Sequence, residues 1–308
     1  MSTSDSLQAV ALMGATGTGK SALAMQLASA SGTSIICCDS MQLYRGLDIG
    51  TAKPTEQERA EVPHFLVDCC ALPDLYSAAR WADEVRLVIR QENELGRLPL
   101  IVGGTGFYLK ALLEGFADIP DEKPEVRKKF EYLHWLEGAE GLYSYLQQHD
   151  AVMASRLKAN DSQRIMRALS VLESSGRSLA EWQDEASSRV VPIDCPVFVL
   201  DMPREQLRER LASRAHTMME AGWLDEVRWL ASLKLPDTHP AMRAVGYRQL
   251  LDAVHGKMTL EKAVSDGITA TRRYAKRQVT WFKHQTANAT HGTVEILKPM
   301  MMEQIRNI

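Results

Sequence analysis

The sequence predicts an α/β fold of the doubly wound kind, a parallel sheet with helices on both faces. Three observations carry this. Short, wholly apolar runs alternate with helical patterns over residues 8–103. A glycine-rich segment, GATGTGKS (14–21), separates the first run from the first helix. The alternation then stops for a charged, strandless stretch and resumes at Pro196.

The strands are read at 8–13 (QAVALM), 33–38 (TSIICC), 64–69 (HFLVDC), 98–103 (LPLIVG) and 196–201 (PVFVLD). Runs apolar on both faces suit parallel strands covered above and below. One helix is read from Lys20 to Ala30, stopped by Gly32, and another from Ser77 to Leu95, stopped by Gly96. In the second, Trp81, Val85, Val88 and Leu95 share a face by helical spacing. Between Asp118 and Asp194 the chain is charged and helical, with Asp161 as an N-cap and Gly176 as a stop for one helix. From Arg204 to about Gln285 it is helical again, and in the last long helix Ile268, Ala275, Val279 and Phe282 are expected to face inward. The implied division is a core of residues 1–117 and 196–308 around an inserted helical lobe, 118–195.

Composition narrows the function. A net charge of −3 over 308 residues gives no global attraction to nucleic acid or membrane, but permits a local basic face. Such a face is legible between Arg243 and Lys283. Nine cations (Arg243, Arg248, Lys257, Lys262, Arg272, Arg273, Lys276, Arg277, Lys283) stand there against Asp252, Glu261 and Asp266. Arg272 with Lys276, and Arg273 with Arg277, are like charges at i,i+4, which an anionic partner would relieve. Trp281 and Phe282 are interleaved with these charges. Cys37-Cys38 and Cys69-Cys70 are adjacent pairs, pointing to opposite faces of a strand, and Cys195 stands alone; they read as buried thiols of a reducing compartment. The eight histidines show no metal-binding spacing. No apolar run reaches membrane-spanning length, so no membrane partner and a cytoplasmic location are expected.

The chemistry starts at GATGTGKS, which fits G-x-x-x-x-G-K-[ST] and opens a helix after a strand. Gly14, Gly17 and Gly19 let the backbone curl so that the N–H groups of Ala15, Thr16, Thr18 and their neighbours converge on one cavity. The following helix adds its positive end, Lys20 a mobile cation, and Ser21 a hydroxyl for Mg²⁺ bound to phosphates. The core is therefore expected to be P-loop NTPase-like. A motor or switch NTPase also places a carboxylate at the tip of a later strand. Here LPLIVG runs into GGTGFY without one, and Asp201 precedes a turn at Pro203. Asp39, at the end of the second strand, sits on the edge where open α/β sheets bind ligands. It can take a proton from a substrate amine or hydroxyl, or cap the segment that follows it. Gln42 can read a base edge. Gly103 and Gly104 permit close backbone approach, and Thr105 can cap a helix while facing the same edge. These features alone leave open a P-loop kinase acting on a small molecule or nucleotide.

Together the motifs resemble one family, the tRNA dimethylallyltransferases. The matching segments run in order: GATGTGKS, DSMQLYRGLDIGTAKP, PHFLVD, YSAARW, IVGGTGFYLKALLEG, DSQRIMRAL, RAVGYRQL and TRRYAKRQVTWF. The departures are Ala15 for a common proline, Phe65 for a second histidine, Gly106 for methionine and Ala244 for cysteine. The resemblance implies transfer of a dimethylallyl group from dimethylallyl diphosphate to N6 of the adenosine 3′ of the anticodon, in tRNAs reading codons that begin with U. The loop would then hold the leaving diphosphate, with Mg²⁺ at Ser21. Asp39 would be the general base, Arg214 the arginine closing over the diphosphate, and Thr105 a contact beside the reacting carbon. Contacts to the tRNA anticodon stem-loop would come from Asp39, Ser40, Met41, Gln42 and Thr105. Further contacts would come from Arg127 and from Gln163, Arg164, Ile165, Met166 and Arg167. The rest would come from Arg243, Ala244, Val245, Gly246, Tyr247 and Arg248, and from Lys276, Arg277, Gln278, Trp281 and Lys283. A monomer is expected.

Overall fold

The computed structural model describes residues 6–115, 119, 122–188, 192–286 and 288–306. The chain forms two compact units, Met1–Leu112 with Pro192–Ile308, and Leu113–Val191.

The first unit is built on β1 (Leu7–Gln8), β2 (Val10–Met13), β3 (Ile35–Cys38), β4 (His64–Phe65), β5 (Leu100–Gly103), β6 (Ile193–Asp194), β7 (Val197–Leu200) and β8 (Thr290–Gly292). Six of them form a sheet in the order β4-β3-β5-β2-β7-β8, and β1 pairs with β6 beside it. Every pairing among the described residues is parallel. β2, β3 and β5 are buried throughout, as their unbroken apolar sequences require. Helices α1 (Lys20–Ser31), α2 (Glu56–Glu61), α3 (Ala78–Glu94) and α4 (Gly106–Glu114) follow successive strands.

The second unit holds α5 (Pro124–His149, broken at Gly138), α6 (Ala151–Arg156), α7 (Ser162–Ser175) and α8 (Leu179–Ser188). Its own core includes Phe130, Leu142, Leu146, Ile165 and Leu169. Asp161 caps α7 through the Arg164 N–H, and Gly176 ends it in the left-handed conformation. The first unit resumes with α9 (Arg204–Glu220), α10 (Trp223–Ser232), α11 (Pro240–Arg243), α12 (Tyr247–Val254), α13 (Leu260–Gln285) and α14 (Val294–Arg306). Leu297, Met301 and Ile305 of α14 pack with Leu23 and Leu27 of α1 against one face of the sheet.

Several sequence expectations need correction. The strand read at 64–69 stops after Phe65, because Leu66 and Asp68 take positive φ and the Asp68 carboxylate turns to Lys53 (2.5 Å) and Arg59 (2.8 Å). Leu95 lies just past α3 and is 63% exposed, and within α3 Ile89 joins Trp81 and Val85 on the buried face. In α13, Val279 is exposed and Gln278 is buried in its place. β8 and α14 lie beyond the expected end of regular structure, so Asp201 does not close the last strand; its backbone N–H donates to Gly292 and its carboxylate meets His291.

Candidate active site

Strand register builds the site. Met13 and Cys38 both pair with Gly103, so β2, β5 and β3 end side by side. The loop Gly14–Gly19, the Gly104 turn and Asp39 therefore start level on one edge, the ligand-binding edge of such sheets.

Helix α9 backs the loop. Leu207 and Leu211 pack with Ala15 and with Ala275 of α13. A Cβ at Gly17, which has φ 86°, would fall 2.7 Å from Leu211 Cδ2, so only glycine lets the loop turn against this helix. Lys20 Nζ donates to the Ala15 carbonyl (3.2 Å). Burial pushes its ammonium down to about 8, against the pull of Asp39 and with the help of Arg214. Burial also lowers Arg214, which Asp39 counteracts and Arg210 reinforces. Two unlike charge requirements thus meet here: a cationic cradle and one carboxylate.

The Asp39 turn is held from both sides. Asp39 Oδ1 accepts the Met41 N–H (2.9 Å), and the Ser40 N–H donates to Thr105 Oγ1 (3.1 Å). Gln278 of α13 is a strut between the two glycine-rich loops: its Oε1 accepts the Thr16 N–H (2.9 Å) and its Nε2 donates to the Gly104 carbonyl (2.8 Å). Gly104 has to lack a side chain, since a Cβ there would lie 2.3 Å from Gln278 Nε2.

Lys20, Asp39 and Arg214 open onto one cavity of about 280 Å³. Thr271, Tyr274 and Gln278 reach it from a single face of α13. Burial, then Asp39, raises the Tyr274 phenol and keeps it a donor. Opposite stand Gly50, Thr51, Trp223 and Tyr247. Glu226 fixes this wall: its carboxylate accepts the N–H groups of Asp48 (2.8 Å), Ile49 (2.7 Å) and Gly50 (3.1 Å) and the Tyr247 hydroxyl.

The family model described as IPP transferase matches residues 42–285. The tRNA dimethylallyltransferase of Mesorhizobium japonicum is 42% identical over 278 residues, covering 90% of this chain and 86% of that one. The chain belongs to the IPP transferase family. Among solved structures, the full-length tRNA isopentenylpyrophosphate transferase of Bacillus halodurans matches with a TM-score of 0.71 at 31% identity, over 98% of this chain and 96% of that one. A eukaryotic dimethylallyltransferase acting on tRNA matches with a TM-score of 0.76 at 26% identity, over 94% of this chain and 74% of that one. These likenesses support the P-loop NTPase-like core.

The residues expected at the RNA divide. Ser40, Met41, Arg243, Ala244, Val245 and Tyr247 line the cavity. Arg248, Lys276, Arg277 and Lys283 are exposed, Arg277 lying 5.5 Å over the Tyr274 ring. In the lobe, Gln163 is exposed, and Arg127, Arg164 and Arg167 pair with Glu131, Asp161 and Glu122.

The remaining expected residues make other contacts. The Gln42 amide accepts from Cys37 Sγ (3.2 Å), donates to the Thr51 and Ala52 carbonyls (3.1 Å each), and lines a separate small pocket with Ser21. Thr105 Oγ1 accepts the Ser40 N–H, and Thr105 is not among the residues lining the cavity. Ile165 is wholly buried in the lobe core, Met166 packs partly against it, and Gly246 is buried at the start of α12. Gln278 turns inward as the strut. Trp281 lies where a side chain on Gly106 would stand, 2.2 Å from that Cβ position, so the small residue at 106 is filled by this ring.

Sequence reading missed Tyr274, Glu226 and Arg210. Tyr274 had a signal, its helical spacing from Thr271 and Gln278. Glu226 had none, because only the tertiary fold brings α10 to the 48–50 turn.

Proposed function

We propose that this enzyme transfers a dimethylallyl group from dimethylallyl diphosphate to N6 of the adenosine 3′ of the anticodon, in tRNAs reading codons that begin with U. The observation that carries the reading is the shared cavity: cationic loop, Arg214 and the lone Asp39 carboxylate face one space. The donor's C–O bond breaks and its electrons leave on diphosphate, which the loop amides, Lys20 and Arg214 hold by preorganised charge. The adenine nitrogen forms the new N–C bond, and its proton passes to Asp39.

Ser21 offers an exposed hydroxyl at the first turn of α1. Among the described residues no cluster of three His, Cys, Asp or Glu could cage an ion. One hydroxyl beside a phosphate cradle suits Mg²⁺ that arrives on diphosphate oxygens and keeps its waters. When bound, it would neutralise charge on the departing group. The adenine must leave the anticodon-loop stack to enter the cavity. The exposed cations Arg248, Lys276, Arg277 and Lys283 supply attraction for the RNA backbone. No helix among the described residues is long and apolar enough to cross a membrane; we place the enzyme with its RNA in the cytoplasm.

The test is mass analysis of tRNA nucleosides after incubation with enzyme and dimethylallyl diphosphate. An adenosine heavier by one five-carbon unit, absent with ATP as the only donor, is the expected product. Phosphate transfer from ATP without prenylation would instead favour a kinase.

A further inference from the structure

Arg210 belongs to no motif and pairs with no carboxylate along its own helix. Its neighbours at i−4, i−3, i+3 and i+4 are Gln206, Leu207, Ser213 and Arg214. By contrast, Arg208 on the outer face has Glu205 at 3.8 Å. Among the described residues neither Arg210 nor Arg214 has an ion-pair or hydrogen-bond partner. Leu207 and Leu211 press one stripe of α9 onto the phosphate loop, which swings Arg210 and Arg214 onto the adjoining stripe. The Arg210 guanidinium lies 3.4–3.8 Å from where a Cβ on Gly19 would stand, beside the N-cap of α1. Arg214 lines the cavity near Asp39, whereas Arg210 does not.

Arg210 and Arg214, one turn apart and without a direct ion pair, repel each other, and an anion bridging them would relieve this. Positions four apart on a helix are about 6 Å apart along its axis, a spacing suited to two linked phosphoryl groups. We propose that Arg210 binds the terminal phosphoryl group of the prenyl donor, while Arg214 and Lys20 hold the phosphoryl group nearer the carbon. Arg210 is thereby the residue that makes the cradle select a diphosphate over a monophosphate. The proposal rests on the function proposed above and adds a specificity determinant to it. The guanidinium also suits the task by geometry, since its planar fork meets two phosphate oxygens at once.

The test is calorimetric titration of the whole enzyme with inorganic pyrophosphate and, separately, with orthophosphate, both with Mg²⁺. Arg210→Ala is expected to weaken pyrophosphate by about tenfold or more while orthophosphate changes by less than about twofold. Arg210→Lys, which keeps the charge and loses the fork, should recover part of the loss. Equal weakening of both anions, or no change in pyrophosphate affinity, would overturn the assignment. If the native enzyme binds no pyrophosphate at all, the donor reading of the loop fails with it. Affinity for an anticodon stem-loop should be the same in native and Arg210→Ala enzymes, which separates the diphosphate role from general electrostatic attraction.

Discussion

Lys20 is the phosphate-loop cation, and its environment shifts its protonation toward neutral pH. Burial is the larger influence and lowers it to about 8, so the cation is present below that pH and lost above it. A cation holds the diphosphate, so donor binding is strong on the acid side and fades as pH rises. kcat/KM for the donor should therefore fall above pH 8 by about tenfold per unit. Lys20→Arg stays charged across this range and should lose that alkaline limb; an unchanged limb would assign the titration elsewhere. Gly104 gives a second residue-level outcome. Gly104→Ala would force Gln278 aside, costing about 1–3 kcal/mol by overpacking and releasing the Thr16 N–H. Both the denaturant midpoint and donor affinity should drop, while a midpoint unchanged from native would show the strut yields freely. Lys20 and Asp39 were legible in the sequence because each follows a short apolar run into a turn, a local pattern. Gln278 was not, since it lies among exposed cations and only the fold shows that its amide points inward.

At the scale of elements, α10 serves the site without bearing chemistry. Glu226 gathers three successive backbone N–H groups and one phenol, fixing the turn that carries Gly50 and Thr51. Glu226→Gln removes the charge and one acceptor oxygen. Stability should fall by about 1–3 kcal/mol, and KM for RNA should rise while pyrophosphate affinity holds. A parallel loss of both would make the effect merely one of folding. Elements with clear stops, such as α1 and α7, were readable to within a residue or two of their ends, and α13 at its C-terminal end alone. β4 was overread because apolar content continues past Phe65 while the backbone turns at Leu66. β8 was missed because three residues, THG, carry no strand signature of their own.

For the whole molecule, the sheet order could not be read from the chain, yet it decides the function. Alternating strands and helices predict a parallel sheet, but many orders satisfy that. Placing β5 between β3 and β2 sets Asp39 and the phosphate loop on one sheet edge, either side of the Gly104 turn. RNA binding is a property of the surface summed over many charges, on a protein whose net charge is slightly negative. Arg277→Ala should weaken binding of an anticodon stem-loop and flatten the slope of log affinity against log salt by about 0.7–0.9. An identical slope would remove α13 from the RNA surface.

The proposal as a whole stands on one carboxylate sharing a chamber with a leaving diphosphate. A single-turnover quench with saturating donor and tRNA, comparing native enzyme with Asp39→Asn, addresses this most directly. The expected result is a transfer rate lower by about 10²–10⁴-fold with pyrophosphate and tRNA affinities close to native. A transfer rate equal to native, at the same occupancy of both substrates, would contradict it.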